Sequence, residues 1–286
     1  MKKGIEIGIR KRILLVSLFI AIGFFVITLR VFLIMIVQHN QYMKRAERQH
    51  QKTIHIEPLR GTIYDRMGRE LAVSVELDSL YGVPSEIEDP DFVAAKLSTI
   101  LGMSHHSIEK RLGSDKNFIW LDRKLDPERV RKIKALSIST REIGFRKEGK
   151  RFYPKKNLAS HLLGFVGMDN KGLGGLELAY EEDMKGEEGL LILGRDAMGR
   201  EIYPSNNSYK PPSPGRNLYL TIDEVVQYIT EKELDRGMVK WKAKGAIAIV
   251  MNPKTGEILA MGVRPEFNPN IIGNYNDSDR TNKAVT

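Results

Sequence analysis

Three short motifs in this sequence have the spelling of a serine acylation site. Ser107 lies three residues before Lys110, a spacing at which a lysine amine could accept the hydroxyl proton and make the serine nucleophilic. Ser205 and Asn207 have the S-x-N spacing of a second active-site element, and residues 254–256 spell the third, Lys-Thr-Gly. A search for these motifs alone would therefore predict a complete active site.

The surroundings of each motif favour a structural role. Ser107 follows two histidines at the start of a short predicted helix, where a serine is typical of an N-cap. Ser205 lies in a polar, proline-rich stretch, and residues 254–256 follow Asn-Pro in a predicted hairpin turn, where proline and glycine serve backbone geometry. Because such short motifs recur by chance, we predict that none of the three is catalytic.

Two further groups of residues have the composition of a binding site but a simpler explanation. His105 and His106 are adjacent, so they point apart on a helix or a strand, and no surrounding carboxylates are evident; a surface pair is expected rather than a metal site. The glycine-rich residues 172–175 lack the lysine-serine ending of a phosphate-binding loop. The sequence therefore predicts no catalytic, cofactor-binding or metal-ligating residue in this chain.

The composition is that of a folded chain with about two domains at roughly 150 residues each. Its 286 residues are 42% hydrophobic and 28% charged, with a formal net charge of +9. The lack of cysteine excludes disulfides, thiol nucleophiles and cysteine-ligated zinc. The positive charge is compatible with nucleic acid, an anionic membrane surface or a basic exterior, and composition alone does not choose among them.

Residues 13–37 are predicted to form an uncleaved transmembrane anchor. This apolar run exceeds the roughly 7–15 residues of a signal peptide and reaches the roughly 20 that cross a bilayer, and no small-residue cleavage site follows it. Basic residues dominate the preceding residues 1–12, which predicts a cytoplasmic tail and an extracytoplasmic location for the rest. Arg30 is expected near the outer interface, extended towards the head groups or facing a partner helix.

The basic stretch 122–151 is not typical of a nucleic-acid site. Asp126 is a suitable N-cap for a helix, and Val130, Ile133 and Leu136 would form its apolar face, which leaves the lysines and arginines in solvent. No aromatic stacking pattern is interleaved with these charges. A membrane-tethered nucleic-acid binder, which would bind DNA with steep salt dependence, is a disfavoured alternative.

Alternating strand and helix signals predict an α+β extracytoplasmic domain over residues 38–203. Residues 63–64 and 71–75 flank a turn at 65–68 in which Gly68 can take a left-handed conformation, so a β-hairpin is predicted there. The other predicted elements are a helical continuation of the anchor at 42–50, a strand at 53–56, one or two short helices within 89–112, a strand at 117–125, a helix at 176–184 and a strand at 190–193.

A second module is predicted over residues 217–286, after a linker at 204–216. It would contain a strand at 218–222, a helix at 223–242 capped by Asp223, and a hairpin. Because some seventy residues cannot readily enclose a sheet-and-helix core, the module looks unfinished. The hairpin strands are predicted at 246–251 and 257–261, and the apolar helix face at Val226, Ile229, Leu234, Met238 and Trp241.

Ordered sequence motifs extend from the anchor to the end of the chain. Residues 60–72 spell RGTIYDRMGRELA, residues 164–177 spell GFVGMDNKGLGGLE, and residues 185–189 spell KGEEG. These segments resemble class B penicillin-binding proteins, whose box reads R-G-x-I-x-D-R-x-G-x-x-L-A. Further segments, at 220–223, 251–261 and 267–270, are similar to the opening of the transpeptidase domain of that family.

The resemblance favours the division-specific, FtsI-like branch of the family. Residues 74–81 and 151–154 carry this finer similarity, whereas Met67 stands where the branch usually has asparagine. The resemblance implies a pedestal of the penicillin-binding-protein dimerisation type and a peptidoglycan D,D-transpeptidase whose S-x-x-K serine is acylated by stem peptides or penicillin. In the family that serine follows the segment matching residues 282–286, so residues 217–286 are expected to be a truncated start of the transpeptidase domain.

The resemblance further implies a single-pass protein of the bacterial inner membrane that works with a polytopic glycosyltransferase and other divisome proteins. Stem peptides and β-lactams would bind only the full-length protein. The alternative is a catalytically silent membrane scaffold of the division machinery. An S-x-x-K motif within a few tens of residues after Thr286 would favour the enzyme, and a stop codon there would favour the scaffold.

Overall fold

The computed structural model describes residues 18–38, 51–195, 201–202, 209–271, 273 and 275–285. The chain forms two compact units, one of Met1–Ile54 with Leu190–Lys210 and one of His55–Gly189 with Pro211–Thr286. The predicted tail at 1–12, the helical continuation at 42–50 and Ser205 lie outside the described residues.

Strands and helices are mixed along the chain, which confirms the predicted α+β class. The helices are α1 (residues 18–32), α2 (Pro90–Leu101), α3 (His105–Leu112), α4 (Pro127–Lys134), α5 (Ser160–Leu163), α6 (Gly175–Ala179), α7 (Glu181–Met184), α8 (Glu224–Trp241) and α9 (Asp277–Arg280). The strands are β1 (Gln51–Ile56), β2 (Ile63–Tyr64), β3 (Glu70–Gly82), β4 (Ile119–Leu125), β5 (Ile143–Phe152), β6 (Gly189–Arg195), β7 (Glu201–Ile202), β8 (Tyr209–Lys210), β9 (Leu218–Tyr219), β10 (Ala246–Met251) and β11 (Ile258–Arg264).

The first unit contains the apolar helix. Helix α1 continues as a π-helical turn at Leu33–Val37, and the stretch Leu18–Ile36 has 19 residues with a mean hydropathy of 2.7 and none of them buried. At about 1.5 Å per residue this stretch is roughly 28 Å long, close to the hydrocarbon core of about 30 Å. Thr28 donates its hydroxyl to the Phe24 carbonyl at 2.8 Å, which satisfies a polar group inside the stretch. The helix therefore fits the predicted single-pass anchor.

The first unit also contains a small sheet in the order β1-β6-β7, with β8 paired to β6. Strand β6 is antiparallel to β7 and to β8, with Gly194 opposite Ile202 and Leu190 opposite Lys210. The strands predicted at 53–56 and 190–193 are confirmed within β1 and β6.

The second unit is organised around the long strand β3. Strand β5 is antiparallel to β3 from Val73 opposite Phe152 to Gly82 opposite Ile143, and β4 pairs with the C-terminal part of β3. Strand β2 pairs with the N-terminal part of β3 and, in parallel, with β9. The hairpin predicted at 63–75 is confirmed, and Gly68 at its turn has a φ of +77°.

One hydrophobic core lies where helices α2, α3 and α4 pack on the sheet. All three helices begin with side-chain caps: Asp89 accepts from the Phe92 amide, Ser104 from the Ser107 amide, and Asp126 from two amides of α4. The cap of α3 is therefore Ser104, and the prediction that Ser107 caps this helix is wrong by one turn. The buried members of this core include Leu80, Val93, Leu97, Leu101, Ile108, Leu112, Leu121, Val130, Ile133 and Ile143.

A second core lies where β2 and the start of β3 meet the helices after β5. It contains Ile63, Leu71, Ala72, Tyr153, Ala159, Leu163 and Met184, with Leu218 and Leu220 packed against it. Leu218 and Leu220 follow the predicted linker at 204–216. The segment after that linker therefore packs in the same core as strand β2 and the start of β3.

The helix predicted at 176–184 is two short helices, α6 and α7. They are separated at Tyr180, whose φ of −108° and ψ of 26° leave the helical region. The carboxylate of Glu181, just after this break, accepts hydrogen bonds from Arg60 and from the Gly172 amide. We attribute the break to these contacts with other segments of the chain. The spacing of apolar residues within 176–184 contains no information about them.

The predicted helix and hairpin of the second module are confirmed as α8 and the antiparallel pair β10–β11, and Asp223 is the N-cap of α8. The predicted strand at 218–222 is shorter, since only β9 is regular. The predicted apolar face of α8 is partly wrong: Ile229 and Trp241 are 53% and 74% exposed. The buried side chains of the helix are instead Gln227 and Glu231.

Candidate functional site

The second unit contains a buried ionic network formed by Arg60, Arg151, Tyr153, Glu177 and Glu181, called here the Arg60–Glu177 network. The carboxylate of Glu177 accepts from Arg60 Nε at 2.6 Å, from Arg151 Nε at 2.7 Å and from the Tyr153 hydroxyl at 3.3 Å. Arg60 also donates to Glu181 at 2.6 Å. The network has two positive and two negative side chains, so its charges balance in a site where an unpaired charge would be costly.

Different elements supply the network. Arg60 lies three residues before β2, Arg151 lies on β5, and Glu177 lies on α6. Both arginines also bind main-chain oxygens: Arg60 donates to the Glu177 carbonyl at 2.6 Å, and Arg151 donates to the Gly61 carbonyl at 2.7 Å. The network thus fixes side chains and main chain of three segments at once.

Tyr153 is the neutral member of the network. Burial raises the pKa of its hydroxyl strongly, and the negative charge of Glu177 raises that pKa further. Tyr153 therefore keeps its proton and donates it to Glu177 as a hydrogen bond at any physiological pH.

Close main-chain crossings next to the network require glycine. A Cβ atom on Gly61 would lie 1.9 Å from the Arg216 carbonyl oxygen, and one on Gly215 would lie 1.8 Å from the Met184 carbonyl oxygen. The Gly61 amide donates to that Met184 oxygen at 2.9 Å. This glycine crossing holds the segment around Gly215 against the first residues of the second unit.

Asp65, in the turn of the β2–β3 hairpin, connects that turn to helix α8. It is fully buried, and its Oδ1 accepts from the amides of Met67 and Arg69, both at 2.8 Å. Its Oδ2 accepts from the Glu224 amide at the start of α8, at 3.2 Å. One carboxylate thus stabilises the turn and also meets the positive end of a helix dipole.

A second polar cluster joins α8 to β11 and to the segment before α5. Glu231 accepts from the Gln227 side chain at 2.6 Å and from the Ala159 amide at 2.8 Å, and it pairs with Arg264 at 3.3 Å. Burial raises the pKa of Glu231, and these partners oppose the shift. The cluster explains why polar residues occupy the buried face of α8.

The segment after β11 packs on the same part of the unit. The Asn270 side chain forms two hydrogen bonds with the main chain of Tyr153, both at 3.0 Å. Phe267 is fully buried with its ring edge-on to His161 and Phe165. Residues 211–285 are therefore held by hydrogen bonds, a glycine crossing and buried aromatic contacts.

His161 gives this contact region a predicted pH dependence. Burial lowers the pKa of its imidazole from the ordinary 6.5, and the positive charges of Arg264 and Lys283 lower that pKa further. Two influences raise it in part: the Asp279 carbonyl, which accepts a hydrogen bond from Nε2 at 2.9 Å, and the negative charge of Glu266. Because the unfolded chain then binds the proton more readily, stability should fall as pH drops below 6.5, by at most about 1.4 kcal/mol per pH unit.

We expect His161→Gln to flatten the decline of the unfolding free energy below neutral pH. The measurement is urea unfolding at a series of pH values, followed by tryptophan fluorescence. Equal slopes for the unmutated chain and the variant would show that His161 does not cause the decline.

Of the three sequence motifs, Ser107–Lys110 and residues 254–256 lie in the described part of the chain, whereas residues 205–207 lie outside it. Ser107 is the third residue of α3, and among the hydrogen bonds of the described residues none joins its hydroxyl to Lys110. Residues 254–256 form the β10–β11 turn, as predicted, with Gly256 at a φ of +74° and its amide bonded to the Asn252 carbonyl at 2.8 Å. The expectation of no catalytic residue in this chain stays a prediction.

Sequence reasoning did not identify the Arg60–Glu177 network as a site. Arg60 and Glu177 are separated by 117 residues, so no local pattern links them. The available signal was indirect: both residues belong to the motifs that resemble penicillin-binding proteins.

Comparisons with known proteins agree with these motifs. Residues 55–220, which include the network and the glycine crossing, match the family described as the penicillin-binding protein dimerisation domain. Stage V sporulation protein D of Bacillus subtilis is 36% identical over 267 residues, which cover 92% of this chain and 41% of the relative. The peptidoglycan D,D-transpeptidase FtsI of Escherichia coli K12 is 28% identical, over 90% of this chain and 44% of the relative.

Among solved structures, the complex between penicillin-binding protein 2 and MreC from Helicobacter pylori matches with a TM-score of 0.62 and 25% identity, over 78% of this chain and 44% of that chain. A peptidoglycan synthetase from Bifidobacterium adolescentis matches with a TM-score of 0.57 and 25% identity, over 82% and 48%. The chain thus spans less than half the length of these relatives, and it corresponds to their N-terminal part. The chain belongs to the class B penicillin-binding proteins and carries their dimerisation domain.

Proposed function

We propose that this chain is the anchor and pedestal of a peptidoglycan D,D-transpeptidase that cross-links septal peptidoglycan in cell division. In this proposal residues 13–37 cross the inner membrane with the N-terminus in the cytoplasm, residues 38–203 are the pedestal, and residues 204–216 are a linker. Residues 217–286 are the start of the transpeptidase domain, and the serine that reacts with stem peptides or penicillin lies further along the polypeptide.

One observation carries this proposal beyond the family assignment: the second module leaves an apolar sheet face uncovered. In β10, which pairs only with β11 among the described strands, Ile247, Ile249 and Met251 are 49%, 50% and 57% exposed. A module of two strands and one helix encloses little core of its own, and a contiguous apolar face of this kind is typical of a surface that further protein covers. An unfinished transpeptidase domain accounts for both features.

The pedestal contacts support a role in positioning. Asp65, the glycine crossing and Asn270 each join the pedestal to residues 211–285. Because these contacts join the pedestal to the first part of the transpeptidase domain, they would hold that domain at a fixed orientation to the pedestal. We further propose, from the family, that a polytopic glycosyltransferase and other divisome membrane proteins are the partners.

Labelling with a fluorescent penicillin tests the proposal. The 286-residue chain in detergent should give no covalent band on a denaturing gel, because we place the acylated serine outside it. The same chain, extended with the continuation of its reading frame, should give a band that excess unlabelled penicillin removes.

Heat-denatured samples control for non-specific labelling. A specific band on the 286-residue chain would show that the nucleophile has been misplaced. A reading frame that stops at Thr286, or an extended chain that stays unlabelled although folded, would favour the silent scaffold instead.

A further inference from the structure

Three possible metal ligands meet at the surface of the helical part of the second unit. Asp91 lies in the first turn of α2, His105 is the first residue of α3, and Glu109 lies one turn further along α3. Their ligand atoms all lie within 4.8 Å of one another, and His105 Nε2 is 3.1 Å from Asp91 Oδ1. We call this group the Asp91–His105–Glu109 triad.

We propose that the triad binds a divalent transition-metal ion of the Zn²⁺ type. One imidazole nitrogen and two carboxylate oxygens are a ligand set that zinc accepts, whereas Mg²⁺ and Ca²⁺ prefer oxygen ligands alone. His105 Nε2 lies 3.2 Å from the main-chain oxygen of Asp91 and 3.1 Å from Asp91 Oδ1; the ion takes the place of the proton on Nε2, and solvent supplies the remaining coordination.

The distances suit such an ion. Tetrahedral zinc with bonds of about 2.0–2.2 Å places its ligand atoms about 3.4 Å apart. The Asp91–His105 pair already has nearly this separation, at 3.1 Å. The carboxylate of Glu109 projects from a half-buried side chain at the surface, so a small rotation brings it to the same distance.

The two helices that supply the triad are fixed independently of any ion. Asp89 caps α2 and Ser104 caps α3, so neither cap residue is a member of the triad. Both helices also contribute buried side chains, Leu97 from α2 and Ile108 from α3, to one hydrophobic core. The ligands therefore project from a preformed pair of helices, and a bound ion would link the start of α2 to the start of α3.

The inference replaces the expectation that the histidine pair lacks carboxylate neighbours. That expectation is wrong, because His105 lies 3.1 Å from the Asp91 carboxylate and His106, whose side chain is 86% exposed, lies 3.5 Å from the Glu109 carboxylate. The spacing of His105 and Glu109 is visible in the sequence, but Asp91 joins them only through the packing of α2 on α3.

Isothermal titration of the 286-residue chain with ZnCl₂, in detergent and without a polyhistidine tag, tests the proposal. We expect one saturable zinc site per chain and no measurable binding of Mg²⁺ at the same concentrations. His105→Asn should weaken zinc binding at least tenfold. His106→Asn is the matched control on the same helix and should change the affinity less than twofold.

Asp91→Asn and Glu109→Gln, which change exposed or half-exposed carboxylates without altering their size, should each weaken binding several-fold. They decide the matter if circular dichroism shows that His105→Asn does not fold. The proposal is overturned if the chain shows no saturable zinc binding, if these variants bind as tightly as the unmutated chain, or if His106→Asn is the variant that loses the ion.

Discussion

Replacing Glu177 by glutamine should lower the free energy of unfolding of the second unit by about 3–5 kcal/mol. The substitution keeps the size of the side chain and removes the charge that faces Arg60 and Arg151, both of which have side chains that are only 3% exposed. Glu181 can still pair with Arg60, but among the acidic side chains only Glu177 pairs with the buried Arg151 in the described part of the chain.

Urea unfolding monitored by tryptophan fluorescence measures this effect, because both tryptophans, Trp120 and Trp241, belong to the second unit. Glu182→Gln is the matched control: it lies on the neighbouring helix α7, and its carboxylate pairs with Lys185 in solvent. Exposed ion pairs contribute little, so this control should unfold like the unmutated chain. A Glu177→Gln variant as stable as the control would show that the network does not hold the unit together.

Replacing Gly61 by alanine should cost at least about 3 kcal/mol, at the upper end of what added atoms cost in a packed interior. The new methyl group would lie 1.9 Å from the Arg216 carbonyl oxygen, which belongs to the main chain and cannot rotate away. The crossing must open, and the hydrogen bond from the Gly61 amide to the Met184 carbonyl is lost with it. We expect faster proteolysis around residues 211–217 as well as lower stability.

Gly68→Ala is the control that distinguishes the effect of steric crowding, expected in Gly61→Ala, from the effect of backbone strain alone. Gly68 has a φ of +77°, but nothing lies within 4 Å of an added Cβ atom, so the variant should lose only the about 1–2 kcal/mol of a left-handed residue. If Gly61→Ala lost no more than Gly68→Ala, and its protease sensitivity were unchanged, the close crossing would not be needed to hold the segment around Gly215.

The local elements could be predicted from the sequence because their causes are local. The Asp126 and Asp223 caps, the hairpin turn at Gly68 and the turn before Gly256 depend on residues within a few positions of one another. Each matches the structure. The apolar run of α1 likewise follows from composition alone.

The contacts that hold the segments of the second unit together could not be predicted, because they join residues far apart in the chain. Glu231 is charged and lies on a helix that looked amphipathic, yet it is buried because Ala159 and Arg264 supply its hydrogen bonds. Conversely, Trp241 is apolar and exposed. Both assignments depend on which surfaces meet, and a single helix period contains no information about its partner.

The parallel pairing of Ile63 with Leu218 bears on how the protein matures during synthesis. The core around Leu80 needs no residue after Phe145, so it can close soon after that residue has left the ribosome. The core around Ile63 stays open until Leu218 arrives, roughly 4–15 s later at 5–20 residues per second. A nascent chain therefore passes through a stage in which the core around Leu80 is folded and the core around Ile63 is still open, and in which strand β2 lacks its parallel neighbour and is accessible to chaperones.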